Sequence, residues 1–547
     1  MVSDNSTRAK DAQTAVLDSA HVGDIEGAFG TIRVGDEAPR SGIKPRVMTL
    51  LAIVGPGLIV MVGDNDAGAF GTYTQAGQNY GTSLLWTLLM LVPVLYVNQE
   101  MVLRLGAVTG VGHARLILER FGKFWGAFSV IDLFILNALT IVTEFIGISL
   151  GLDFLGLPKV AGVLVSALVI IGAASTGSFK RFERVCLTLV AGSLVLIPIF
   201  VMVHPPLREV GRDLLRPRMP GGADLSSVVL LIIAIVGTTV APWQLFFQQS
   251  YVIDKRITPR FIPYEKLDLA IGIAVVVIGA TAMISFTAQT FAGHPELGHF
   301  GDAEGVARGL GKYVSRTAAT LFAIALIDAS VIGAAAVGLS TSYALGDTLG
   351  LKHSLHRKIG DAKGFYAVFV AILFGSAAIV LIPGSPLGLL TVGVQVLAGV
   401  LLPSATVFLL LLCNDANVLG PWVNGLAMNL FTSAVIAVLV ILSLVLTAQV
   451  LFPTMSSSTI LAMLAGGAAV SIGSALAYLV CRRARPVPLA EGIPRTERGS
   501  WRMPPLALLD APKLSVETRL GLSVLRTYLL VAMILVVVRL VKMALGH

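Results

Sequence analysis

The chain has 547 residues, of which 55% are hydrophobic and 13% are charged. Soluble domains carry about 25% charged residues, so this composition excludes an ordinary soluble enzyme and indicates a protein that crosses a membrane many times. The formal net charge of +8 does not require a nucleic-acid partner, because no nucleic-acid-binding motif accompanies it and basic loops account for the excess. The three cysteines lie in or beside hydrophobic segments without metal-ligand spacing, so no disulfide framework is implied.

Residues 1–46 are polar and of mixed charge, and they lack the basic start, the short apolar run and the cleavage site of a signal peptide. They predict a cytoplasmic tail, with a short helix around Ala15 to Ala28. Beyond Arg46, hydrophobic runs of about 20 residues recur, which is the length that crosses the hydrocarbon core. The predicted spans are 48–72, 82–103, 124–152, 158–177, 184–203, 226–252, 267–291, 315–345, 364–383, 387–413, 424–450 and 458–481.

These spans predict a transmembrane domain over residues 47–481 and a cytoplasmic segment over 482–520. A last hydrophobic run lies within 521–547, and it forms either an additional span or a helix at the membrane interface. Basic residues concentrate in the loops that are cytoplasmic if the N-terminus is inside, which is the positive-inside pattern. The basic residues of those loops are Arg115, Arg120, Lys123, Lys180, Arg181, Arg184, Lys255, Arg256, Arg260, Lys266, Lys352, Arg357, Lys358, Lys363, Arg482, Arg483 and Arg485. The loop with Arg208, Arg212, Arg216 and Arg218 is an exception.

Two carboxylates and an amide, Asp64, Asn65 and Asp66, interrupt the first hydrophobic segment. A charged group at bilayer depth is costly, so such residues normally line a water-filled cavity or an ion path. Glycines on both sides, from Gly55 to Gly71, would let the helix unwind and turn backbone carbonyls toward a cation. The alternative is that the acids lie at the membrane edge, because apolar sequence continues on their N-terminal side only.

The sixth span contains a second interruption, in the stretch Gly237–Ser250. Pro242 removes one backbone hydrogen bond, and the threonines before it can serve the freed carbonyls. An ordinary proline kink is the alternative. Interrupted helices at corresponding places in two halves indicate a transporter built from an inverted repeat, and the first and sixth spans fit two repeats of five.

Several motifs now resemble the Nramp family of divalent-metal transporters. The stretch from Gly55 to Trp86 is similar to the family's first-helix signature and continues without gaps through Arg104–Gly110. Thr143–Gly147 resembles the third-helix motif, and Gln395–Leu397 with Leu401–Pro403 resembles the tenth helix. The similarity covers roughly residues 48–450. It implies an all-α, LeuT-like fold with an inverted repeat of five plus five helices and additional C-terminal helices, in a bacterial-type plasma (inner) membrane protein.

The departures from the family pattern concern the metal site. The family's Asp-Pro-Gly-Asn falls on Asp66-Ala67-Gly68-Ala69, and its Met-Pro-His falls on Ala241-Pro242-Trp243. The methionine sulfur that favours transition metals is therefore absent, while oxygen ligands are added beside Asp66. A roomier site of oxygens suits Mg²⁺, and the sequence resembles the Nramp-related magnesium transporters. The expected site residues are Asp66, Asn65, Asp64, Thr238 through its carbonyl, Ala241 as an absent side chain, Gln395 and Glu144. The alternatives are that Glu144 is a structural partner of a buried polar group and that Gln395 forms an interhelical hydrogen bond.

The resemblance also bears on energy coupling. Ile141 stands where the family's third-helix motif has an acid, and Trp243 replaces the histidine. We therefore expect an importer of Mg²⁺, with Mn²⁺ also accepted, that is not proton-coupled, needs no cofactor and has no inferred protein partner. The main alternative is a proton-coupled Mn²⁺/Fe²⁺ transporter. A sodium-coupled amino-acid symporter is disfavoured because Asp64 and Asp66 would repel a substrate carboxylate, and a membrane-embedded enzyme because no His-Glu-x-x-His dyad occurs.

Overall fold

The computed structural model describes residues 15–36, 38–382, 387–452, 455–484, 498–510, 512 and 519–528, together with the isolated positions 530, 531, 534 and 538. Helices dominate these residues. The helices are α1 (Ile43–Ile53), α2 (Pro56–Val62), α3 (Ala67–Tyr80), α4 (Leu85–Thr109), α5 (His113–Phe121), α6 (Lys123–Phe154), α7 (Lys159–Ala174), α8 (Phe179–Gly192), α9 (Leu196–Val203), α10 (Leu207–Leu215), α11 (Leu225–Thr239), α12 (Pro242–Asp254), α13 (Ile262–Phe291), α14 (Ala303–Tyr313), α15 (Arg316–Leu349), α16 (Lys363–Val380), α17 (Leu387–Cys413), α18 (Ala416–Leu419), α19 (Leu426–Leu451) and α20 (Ser457–Ala484).

Each of the predicted spans coincides with one of these helices or with a broken pair. Among the described residues, 10 helical segments are long and apolar enough to cross a membrane. The first predicted span, 48–72, covers the end of α1, all of α2 and the start of α3, and α1 and α2 meet at a bend of 52°. The fourth, α7, is a shorter apolar helix of 16 residues. The prediction of a polytopic all-α protein is confirmed.

The two broken spans lie at the centre of the bundle. α2 and α3 pack against α13, while α11 packs against α17. α3 also contacts α11, and α12 contacts α2, so the two breaks face one another. α3 continues to Tyr80, well past the three polar residues, and these are at most 2% exposed. The acids therefore lie inside the bundle and not at its edge.

The described part of the N-terminal region is not helical in the way that we expected. Asp18 caps one 3₁₀ turn, Ser19–His21, and a hairpin of β1 (Ile25–Gly27) and β2 (Gly30–Ile32) follows. The helix predicted around Ala15 to Ala28 is therefore wrong. Gly27 explains the outcome, because a Cβ at that position would collide with the Ala52 carbonyl, so only glycine lets the hairpin lie flat on α1.

This segment, residues 15–34, is hydrogen-bonded to α8 and to the loop that follows α15. The Asp18 carboxylate accepts hydrogen bonds from the Arg357 guanidinium at 2.6 Å and from the His353 N–H at 2.8 Å. The Ala28 N–H donates to the Glu183 carboxylate of α8 at 2.6 Å. Burial alone would raise the pKa of Asp18, but the Arg357 guanidinium and neighbouring N–H groups hold it well below its usual range. A charged Asp18 therefore holds the segment in place.

A stretch near the C-terminus, residues 498–510, lies on the same face. The Met503 N–H donates to the Val108 carbonyl at 3.3 Å, and the Arg498 guanidinium stacks on Trp422 with 4.1 Å to the ring centroid. Of the last hydrophobic run, residues 521–528 are described and helical. The remainder of that run, apart from isolated positions, lies outside the described residues, as does 485–497 of the predicted cytoplasmic segment.

Candidate metal-binding site

The first helix break exposes helix ends to the centre of the bundle. α2 ends at Val62, and the N–H groups of Asp64 and Asn65 bond back to Met61 and Val62 at 3.3 and 3.1 Å. Asp66 then caps α3, with its side chain accepting from the Ala69 N–H at 2.9 Å. The C-terminal end of α2 and the N-terminal end of α3 therefore meet at the same point, where short turns and carboxylates satisfy several of their backbone groups.

The second break forms around Pro242. α11 ends at Thr239, Ala241 is extended, and Pro242 is the first residue of α12. Because proline has no N–H, the carbonyl of Thr238 lacks the helical donor that would come from four residues on. This supports the expectation that the Thr238 carbonyl faces the break. The two breaks are joined by a hydrogen bond of 2.7 Å between the hydroxyls of Tyr73 and Thr239.

Glu144 lies beside Asp66 at the start of α3. Its carboxylate accepts from the Ala67 N–H at 3.1 Å, and it is fully buried. Gly333 of α15 makes room for both acids, because a Cβ there would lie 2.8 Å from the Glu144 carboxyl carbon and 3.0 Å from Asp66 Cβ. The structure thus brings the predicted Asp66 and Glu144 together.

Gln395 enters the same region from α17. Its amide nitrogen lies against Gly68, where a Cβ would overlap it, and its backbone oxygen lies against Gly237 of α11. Within the described residues, neither this amide nitrogen nor the Thr238 hydroxyl has a hydrogen-bond partner. Unsatisfied buried polar atoms are unusual and indicate that another group belongs there. Gln395 and Asp66 both lie against Gly68, and the ligand roles of Gln395 and Thr238 stay predictions.

Asp64 and Asn65 are each hydrogen-bonded to a neighbouring helix. The Asp64 carboxylate accepts a hydrogen bond from the side-chain amide of Gln244 on α12. The amide nitrogen of Asn65 donates to the Val276 carbonyl of α13 at 3.3 Å. Asn65 is thus engaged with α13 rather than with the group around Asp66, and its expected role as a ligand stays a prediction.

A cation at this place would not be enclosed by acidic side chains alone. No three His, Cys, Asp or Glu side chains in the described part of the chain are arranged to hold a metal ion. The available donors are carboxylates, amide and hydroxyl oxygens and the carbonyls at the helix ends. Such an incomplete set of oxygens leaves positions for water around a bound divalent cation.

Sequence reasoning missed the residues that support the site. Gln244, Gln99, Tyr73 and Gly333 each contact one of the breaks or the acids, yet none was selected. Gln244 carried the only local signal, since it stands in the first turn of a half-helix that begins with proline. The other three come from elements that meet only in the folded chain.

Helices broken at facing positions in the first and sixth spans define a secondary transporter with a LeuT-like inverted repeat. A family model described as Nramp, natural resistance-associated macrophage protein-like, matches residues 57–449. The chain therefore belongs to the Nramp family, which consists of transporters and not of enzymes.

Relatives and solved structures agree with this assignment. The divalent metal cation transporter MntH of Ralstonia nicotianae is 28% identical over 424 residues, covering 74% of this chain and 92% of the relative. MntH of Latilactobacillus sakei is 26% identical over 400 residues, covering 69% and 84%. The crystal structure of the Eremococcus coleocola manganese transporter in complex with an aromatic bis-isothiourea substituted compound has a TM-score of 0.61 at 20% identity, covering 81% of this chain and 95% of that one, which shows the shared fold.

Proposed function

We propose that the protein imports divalent metal cations across the plasma membrane, with Mg²⁺ preferred and Mn²⁺ accepted, and without proton coupling. The observation that carries this proposal is the charge at the first break. Asp64 and Asp66 are 0% and 2% exposed, and within the described residues neither forms an ion pair with a basic side chain. Buried charges are normally paired, and a doubly charged cation matches two carboxylates.

The preference for Mg²⁺ rests on what the second break lacks. Ala241 offers no sulfur at the place where the family pattern has methionine, and the donors grouped around Asp66 are oxygen and amide groups. Sulfur selects softer transition metals, whereas carboxylate, carbonyl and water oxygens suit Mg²⁺ and Mn²⁺. The competing function, proton-coupled transport of Mn²⁺ or Fe²⁺, is supported by relatives named as divalent metal cation or manganese transporters.

The absence of proton coupling is inferred from two substituted positions. Ile141 and Trp243 are buried and cannot carry a proton, where the family pattern has an acid and a histidine. The membrane potential alone drives a divalent cation inward, by about 2 × 2.3 kcal/mol for each 100 mV. We place the N-terminus in the cytoplasm, in accordance with the basic loops, so that residues 15–34 lie at the release side.

The experiment is flux into liposomes with an imposed inside-negative potential, with Mg²⁺ and Mn²⁺ in competition and a pH dye inside. We expect Mg²⁺ uptake that Mn²⁺ inhibits, without acidification of the lumen. Asp66→Ala should reduce uptake to the rate of empty vesicles, while Asp153→Ala, an exposed aspartate at the end of α6, serves as the matched control. Uptake of Mn²⁺ with protons and exclusion of Mg²⁺ would contradict the proposal in favour of the competing function.

A second variant tests the selectivity. Ala241→Met restores a sulfur and should shift competition toward Mn²⁺, since thioether sulfur is a softer ligand. Ala241→Leu adds a side chain of similar volume without sulfur and is the matched control. If both variants shift the ratio equally, volume and not sulfur decides the preference.

A further inference from the structure

Three buried polar side chains form a chain of hydrogen bonds that begins at the first break. The Gln99 amide on α4 donates to the Gln244 side-chain oxygen at 2.9 Å, and the Gln244 amide donates to Asp64 Oδ1. All three residues are 0% exposed. The chain therefore connects the body of the bundle, through the half-helix α12, to a carboxylate of the first break.

The direction of these bonds is set by the Asp64 carboxylate, which can only accept, and Gln99 supplies the matching donor to the Gln244 oxygen. A glutamine amide has one face that donates and one that accepts. With its accepting oxygen bonded to Gln99, the Gln244 amide presents its N–H to Asp64. If the amide turned over, its oxygen would face the carboxylate, and two acceptors would repel one another. Gln99 thus holds Gln244 in the orientation that Asp64 requires.

The hydrogen bond from Gln244 gives the two oxygens of the Asp64 carboxylate different surroundings. Oδ1 is occupied by Gln244, while Oδ2 has no hydrogen-bond partner among the described residues. Because Oδ2 keeps all of its lone pairs, it is the oxygen better able to contact a cation directly or a water bound by the cation. Monodentate contact through one oxygen, with water completing the shell, fits Mg²⁺.

We propose that Gln244, locked by Gln99, is a positioning residue that presents a single oxygen of Asp64 to the transported cation. This inference rests on the proposed function, and it adds two residues that act through Asp64 without touching the ion. Holding a ligand in its productive geometry before binding removes the cost of ordering it on binding. Loss of either glutamine should therefore weaken binding of the ion more than it slows its movement.

The test compares Gln244→Leu, Gln99→Leu and the double variant in proteoliposomes. Since a hydrogen bond to a charged group is worth about tenfold or more in an equilibrium constant, we expect KM to rise about tenfold in each, for Mg²⁺ and for Mn²⁺, with the maximal rate nearly unchanged. The double variant should be no worse than Gln244→Leu, because both changes break one chain. Circular dichroism and apparent Tm show that each variant is folded.

Gln248→Leu is the matched control. Gln248 stands one turn further along α12, is equally buried, and has no side-chain hydrogen bond within the described residues. The positioning role is refuted if Gln244→Leu and Gln99→Leu keep the wild-type KM, if they raise it no more than Gln248→Leu, or if their effects add. A wild-type protein that transports only Mn²⁺ would overturn the proposed Mg²⁺ preference, yet the KM comparison would still decide the role of Gln244.

Discussion

Lys255, directly after α12, is a fully buried cation that donates three hydrogen bonds, and we expect its removal to destabilise the fold. Its ammonium is 0% exposed and donates to the Glu183 carboxylate at 2.6 Å, to the Ile53 carbonyl at 2.6 Å and to the Val54 carbonyl at 2.9 Å. The two carbonyls belong to the bend between α1 and α2. Lys255→Met preserves the apolar stem and removes all three donated bonds.

The expected loss of stability follows from the Glu183 carboxylate, which the substitution leaves without its cation. Glu183 is fully buried, and breaking a buried ion pair by removing one partner costs about 3–5 kcal/mol because the other charge stays unpaired. Lys255→Met should therefore lower the apparent midpoint of thermal unfolding in detergent by many degrees. Adding Glu183→Gln removes the stranded charge and should restore part of the loss, while the freed carbonyls keep the recovery incomplete.

The assay is tryptophan fluorescence during heating, with Lys312→Met as the control. Lys312 also pairs with a glutamate, Glu296 at 3.0 Å, but its side chain is 61% exposed. An exposed pair contributes little, so this variant should unfold at the wild-type midpoint. The reasoning is refuted if Lys255→Met unfolds no earlier than Lys312→Met, or if Glu183→Gln makes it worse.

Two further predictions concern space and pH. Gly333→Ala places a methyl group against Glu144 and Asp66 and should strongly reduce uptake. Gly375→Ala is the control, because a Cβ there meets nothing within 4 Å, and it should leave uptake unchanged. Equal uptake by both variants would show that space at Gly333 is not required. Burial alone would lower the pKa of His353, but the Asp347 carboxylate at 2.9 Å raises it to about 9. Because this folded-state pKa exceeds the ordinary value of about 6.5, the stabilisation is complete below pH ~6.5 and is lost as pH rises toward ~9. Trypsin should thus cut residues 15–34 faster at pH 9 than at pH 6.5, after correction for the pH dependence of trypsin itself. A cleavage rate that does not change with pH would refute the link between His353 protonation and the stability of this segment.

The sequence was sufficient to predict the membrane spans and the two helix breaks. A run of about 20 apolar residues has only one stable solution in a bilayer, and glycine, proline and acids within such runs are conspicuous. The group of Asp66, Glu144 and Gln395 was predicted through the resemblance of their motifs, which places them on the first, third and tenth helices of a shared fold. The ligand roles themselves remain predictions.

What the sequence did not predict depends on partners far away in the chain. Gln244 and Asp64 are 180 positions apart, and nothing in the local pattern of either indicates the bond. The side chain of Asn65 is oriented toward the Val276 carbonyl because α13 packs against the first helix break. The hairpin at Ile25–Ile32 was missed because its strands have three residues each and are held by α1 and α8 rather than by their own propensity.

The two oxygens of Glu183 have different neighbours, and this has a mechanical consequence. One oxygen binds Lys255, which holds the bend of α1 and α2, and the other binds the Ala28 N–H of the hairpin that lies on α1. A swing of α1 and its hairpin away from α8 and α12 must break the Ala28–Glu183 bond and the bonds from Lys255 to Ile53 and Val54 in the same movement, while the Glu183–Lys255 pair stays together. Because these attachments are lost together, the bend and the hairpin should separate from α8 and α12 cooperatively, with few molecules in intermediate positions.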